Sequence, residues 1–170
     1  LNRFVSPLSS TLATSYYKYY IMDTVMVGNN ECIDLAFVPF NSQSYGFTGR
    51  LFITTDGHFA IKKFLLNVPS NINLNFVDNL RITQEFKQMP DSTWVLDQEN
   101  TFINFYVIKG AQQLYAHQMR SYNNYDFSTP PDSVFDVLGS NIVLESAINQ
   151  PDSFWVANRH VPLKEKENAL

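Results

Sequence analysis

Three histidines, one cysteine and a scatter of aspartates are the side chains of this sequence that could do acid–base, nucleophilic or metal chemistry. His58, His117 and His160 stand far apart and follow none of the spacings by which one helix or loop presents metal ligands. His58 comes just after an Asp-Gly pair, where a polar residue at a hairpin edge is the plain reading. Cys32 would need a neighbouring base and a lowered pKa to act as a nucleophile. A lone cysteine on a strand reads instead as a small buried hydrophobe. Asp34 shares a strand face with Cys32 and Ala36. On a buried face it needs a cation, for which Lys18 on the preceding strand is the candidate; at a solvated edge it needs none. Asp23, Asp56, Asp78 and Asp91 fall at or near turns, where aspartate bonds the backbone. There is no Gly-x-Ser-x-Gly elbow, no glycine-rich phosphate loop with lysine, no His-Glu-x-x-His and no calcium-loop spacing. The residues therefore predict no catalytic centre, no metal and no cofactor.

The elements that carry these residues are strands. Tyr16, Tyr17, Tyr19, Tyr20 and Ile21 make a β-prone run ending near Asp23, and Gly28-Asn29-Asn30 is a turn signal. Further strands are predicted over 31–38, 47–55, 58–68, 80–87, 94–98, 101–109 and 114–125, about eight in all. Asp56-Gly57 is the strongest hairpin signal and predicts a two-residue type I′ turn. Pro90-Asp91-Ser92 marks another turn. The first fourteen residues read as an entry loop or short helix. After Tyr125, Thr129-Pro130-Pro131-Asp132 is a stiff connector, and a short helix is expected after Pro151, capped by Asp152 or Ser153 and ended by Pro162.

Composition agrees with a β domain. The chain has 170 residues, 15% aromatic and only 16% charged, with a net charge of -4. That balance is opposite to what phosphate neutralisation demands, so nucleic acid is not expected as a partner. One cysteine excludes an intrachain disulfide. No run approaches the ~20 apolar residues of a membrane helix. The start at Leu1 and the abrupt stop after the charged Lys164-Glu165-Lys166-Glu167 stretch are read as a domain cut from a longer chain. It is taken as one β domain over 1–170, with a strand-rich body over 15–125 and a connector plus short helix over 126–170.

What remains is apolar surface. Leu80, Ile82 and Phe86 alternate with Arg81, Thr83, Glu85 and Lys87, and only Gln84 breaks the apolar side. Phe64 and Leu66 offer a matching face on the strand before, and Ile103 and Phe105 on a later one. These seven are the candidate lining of an apolar groove; a packed core would use the same residues.

Several short motifs fall in a recognisable order: Asp23-Thr24, Glu31-Cys32, Phe37-x-Pro39, Gly46-Phe47-Thr48-Gly49-Arg50-Leu51, Ile61-Lys62-Lys63, Asn73-Leu74-Asn75-Phe76-Val77 and Asp91-Ser92-Thr93-Trp94. Asp152-Ser153-Phe154-Trp155, Arg159 and Pro162-Leu163 follow late in the chain. From about Ser15 onward the chain resembles the middle, periplasmic region of a Bacteroidetes-type outer-membrane family of unknown function. Members of that family resemble a carboxypeptidase-regulatory-like β domain, this region and a C-terminal barrel in series. In outline, 49–63 and 91–94 are also similar to lipoprotein-carrier half-barrels, although no functional residue of that group maps onto this chain. The fold expectation is a curved antiparallel sheet or open half-barrel with a short C-terminal helix, the alternative being a closed barrel or two-sheet sandwich. The resemblance implies a non-enzymatic module at the periplasmic face of the outer membrane. Its expected partners are a lipid or lipidated protein, another protein, or neighbouring domains of the same chain. A structural spacer and an envelope hydrolase are the rival expectations.

Overall fold

Tyrosine, valine, isoleucine and phenylalanine at alternate positions favour extended backbone, and long antiparallel strands result. A computed structural model describes residues 5–41, 45–68, 72, 76–106, 112–132, 135, 149–159 and 161–163. The chain divides into two compact units, Leu1–Asn123 and Asn124–Leu170.

Among the described residues, the first unit holds a one-turn helix, α1 (Ala13–Tyr16), and seven strands: β1 (Tyr17–Val27), β2 (Asn30–Pro39), β3 (Thr48–Thr54), β4 (Ile61–Val68), β5 (Val77–Gln88), β6 (Trp94–Phe105) and β7 (Leu114–Ser121). All pair antiparallel in sequence order, so β1 and β7 form the two edges of one open sheet. The closed barrel and the two-sheet sandwich are both excluded for the described residues. In the second unit, α2 (Asp152–Asn158) is a short helix. Pro151 rather than Asp152 or Ser153 occupies its N-cap, and no side chain bonds the first turn.

Two local expectations change. The segments 94–98 and 101–109 are not two strands, because Trp94–Phe105 runs unbroken against β5, and 107–109 lie outside the described residues. Asp97 is taken up as an extra residue between the pairs Glu85 with Gln98 and Phe86 with Leu96. Asp56-Gly57 is not a two-residue turn: β3 stops at Thr54 and β4 begins at Ile61. The Asp56 carboxylate explains the longer loop, accepting from the Thr54 hydroxyl at 2.8 Å and the His58 N–H at 3.1 Å. Gly57 still takes a positive φ of 89°. The tight turn lies instead at Gly28-Asn29, where Val27 pairs directly with Asn30. Gly28 alone has a positive φ there, 61°, as a type II′ turn requires of its first central residue.

Tyr17, Phe37, Leu51, Phe64 and Leu66, one or two from each of the first four strands, form the core on one sheet face. Tyr17 and Phe37 meet edge to face with centroids 5.8 Å apart, and Phe37 tilts onto Phe64 at 5.7 Å. The segment before α1 is tied over this end. The Tyr17 hydroxyl donates to the Val5 carbonyl at 2.5 Å and accepts from the Phe47 N–H at 3.1 Å, while Tyr19 donates to the Pro7 carbonyl at 2.7 Å. Gly49 sits opposite Phe37 in the ladder, and a Cβ there would strike the Leu65 carbonyl and lie 2.8 Å from the Phe37 ring.

Candidate functional site

Cross-strand partners point to the same side of a sheet, so register alone decides which residues gather. Val68, Leu80, Ile103 and Ala116 form one row across β4 to β7, and Leu66, Ile82, Thr101 and Gln118 the next. Phe105 joins the same face between Val77 and Leu114. The seven residues singled out from periodicity therefore share one face. They differ in burial. Phe64 and Leu66 are only 4% and 8% exposed and belong to the core, with Ile82 and Phe86 packed against them. Leu80, Ile103 and Phe105 are half-buried, and Leu114 beyond them is exposed. The surface thus grades from closed core at β4 to open apolar edge at β7.

A polar row interrupts it. Phe64 is followed across the sheet by Gln84, Glu99 and Arg120. The Gln84 amide donates to Glu99 Oε2 at 2.7 Å and Arg120 Nη1 to Glu99 Oε1 at 3.0 Å. Both carboxylate oxygens are thereby satisfied on a side chain that is 14% exposed. Periodicity marked Gln84 as an exception; its partners become visible only with the register.

The opposite face holds Cys32, Asp34 and Thr54, all buried. Asp34 is paired, but not by Lys18: Arg50 Nη1 lies 2.7 Å from its Oδ2. Lys18 instead stacks over Phe40, 5.2 Å from the ring centre. Burial pushes the Cys32 thiol above its ordinary pKa, with the nearby Lys62 charge opposing in part. A thiol kept protonated is a poor nucleophile. Nearer the β7 edge, Phe102 stacks with His117 at 4.3 Å and carries the Arg81 guanidinium 4.9 Å from its ring centre. His117 Nε2 also lies 3.0 Å from Asn100 Oδ1.

Among the described residues, the histidines singled out above stand apart. His58 lies in the loop after β3, whereas His117 is on β7, four strands away in the ladder order. His160 lies outside the described residues. Among the described residues no three His, Cys, Asp or Glu side chains are grouped as metal ligands would be. What the arrangement offers chemically is contact: an apolar face, a fixed polar row, and a cation–aromatic column. The last two escaped the sequence reading, since neither has a local spacing signal.

A family model described as a family of unknown function, DUF5686, matches residues 1–125. No curated protein and no solved structure matches the chain. No helix among the described residues is long and apolar enough to cross a membrane.

Proposed function

Taking as premise that the chain belongs to the DUF5686 family of unknown function, we propose that it is a non-enzymatic module that binds an apolar or lipidated ligand on one sheet face. The single observation behind this reading is the grading of that face. Leu80, Ile103 and Phe105 remain half-buried beside an exposed Leu114, where a finished core would close over them. The Gln84–Glu99–Arg120 row bounds the patch with polar groups already held in place. Sites for small ligands combine such an apolar lining with a few fixed polar groups. The motif resemblance supports a location at the periplasmic face of the outer membrane, and this belongs to the same proposal.

The test is Leu80→Ala, measured for both stability and uptake of the fluorescent probe N-phenylnaphthylamine. In a ligand-lined face the variant loses probe binding while costing far less than the roughly 2–5 kcal/mol of a packed-core truncation. A large loss of stability with unchanged probe uptake overturns the reading. That outcome would leave the second reading, a structural spacer between neighbouring domains, which the near-complete burial of Phe64 and Leu66 favours.

A further inference from the structure

The two edges of the sheet are built differently. β1 is interrupted by an extra residue between Ile21 and Asp23, and it carries one cation and one anion, Lys18 and Asp23. Bulges and charges are the devices by which sheet edges avoid pairing with another chain. β7 has none of the steric ones. Its ladder to β6 runs from Ser121 opposite Gln98 to Leu114 opposite Phe105 without a register shift. It contains no proline and no lysine, and Leu114 to Arg120 are exposed throughout. On the outer side of β7 no further strand is paired among the described residues. A regular strand then presents a row of backbone N–H and C=O groups that only another extended backbone can match along its length.

We propose that β7 is a docking edge for an extended, acidic peptide segment of a partner protein, which adds to the sheet as an eighth strand. This does not depend on the ligand reading of the apolar face, because it uses backbone groups at the edge. Charge selects the occupant. In a chain of net charge -4, β7 contains Arg120 and His117 and no carboxylate. Arg120 is bonded to Glu99 through one nitrogen and is still 54% exposed, so a guanidinium with further donors remains in water beside the open edge. A carboxylate on an added strand can meet it there. A second copy of the chain fits less well. Antiparallel pairing of β7 with itself about His117 sets Arg120 against Leu114 and histidine against histidine, with no acid opposed to Arg120. On the other sheet face, Tyr115 and Met119, exposed at 65% and 41%, would cover apolar side chains of the added strand.

The experiment is hydrogen–deuterium exchange on the full chain with a synthetic eight-residue peptide alternating valine and glutamate. At a peptide concentration of about ten times Kd, exchange of the β7 amides should slow roughly tenfold by mass action. The same peptide with alternate backbone nitrogens methylated should give no protection, and its lysine-for-glutamate counterpart should bind markedly more weakly. Gln118→Arg, an addition at an exposed position, should tighten the acidic peptide. Equal binding of the lysine peptide, or protection by the methylated one, overturns the proposal. So does β7 protection that grows with protein concentration in the absence of peptide, which would assign the edge to a second copy. Failure of Leu80→Ala to alter probe uptake would leave these outcomes unchanged.

Discussion

Arg50 Nη1 lies 2.7 Å from Asp34 Oδ2, joining a carboxylate that is 5% exposed to a guanidinium that is 48% exposed. The pair bridges β2 and β3 on the sheet face opposite the aromatic core. Removing the cation would leave a buried charge without its partner, which costs more than losing a surface ion pair. We expect Arg50→Ala to destabilise the domain by roughly 2–3 kcal/mol, less than for a fully buried pair because half the guanidinium is already in water. Replacing both residues with apolar ones, as in Asp34→Leu with Arg50→Met, should recover much of that loss. Chemical denaturation of the single and double variants checks both statements.

Gly49 should tolerate no side chain. A Cβ would meet the Leu65 carbonyl, which is backbone and cannot swing away, as well as the Phe37 ring. Gly49→Ala is expected to cost about 3 kcal/mol through overpacking of the β2–β3–β4 ladder. An unfolding midpoint close to that of the parent chain would contradict this.

Gly57 tests backbone conformation without packing, since nothing lies within 4 Å of where its Cβ would be and its φ is 89°. Gly57→Val should cost about 1–2 kcal/mol from left-handed strain alone, and Gly57→Asn distinctly less. Equal stabilities for the two variants would show that the loop relaxes.

Alkaline pH should destabilise the fold. Burial raises the Tyr17 and Tyr19 hydroxyls above 10.0 and the Cys32 thiol above 9.0. Each raised folded-state pKa makes the neutral form the one compatible with folding. The associated stability is complete below the unfolded pKa and is lost as pH rises through the folded one. The melting temperature should therefore fall from about pH 9 upward. Cys32→Ala should flatten the first part of that fall, and Tyr17→Phe the later part, as differential scanning fluorimetry across pH would record.

Much of the sheet was legible because its cause is local. Alternation along 80–87 placed Leu80, Ile82 and Phe86 on one side, and the register confirms that side against Leu66, Val68 and Ile103. Glycine marked the turn at 28–29 because few other residues accept the positive φ that Gly28 takes. Where side chains competed with the backbone, local signals misled: the Asp56 carboxylate captured Thr54 and His58 and opened the loop that Asp-Gly would otherwise close.

By itself, then, the sequence determined an antiparallel β protein, its alternating faces and the candidate apolar residues, since strand period and turn chemistry act over a few residues. Only the tertiary structure decided which strands neighbour each other, where Asp97 is taken up as an extra residue, and hence that Arg50 rather than Lys18 meets Asp34. The same holds for the gathering of Gln84, Glu99 and Arg120 into one row and for the separation of core from open surface along a single face. Cross-strand partners are set by register, and register depends on bulges and loop lengths whose free energies are shared across the whole sheet.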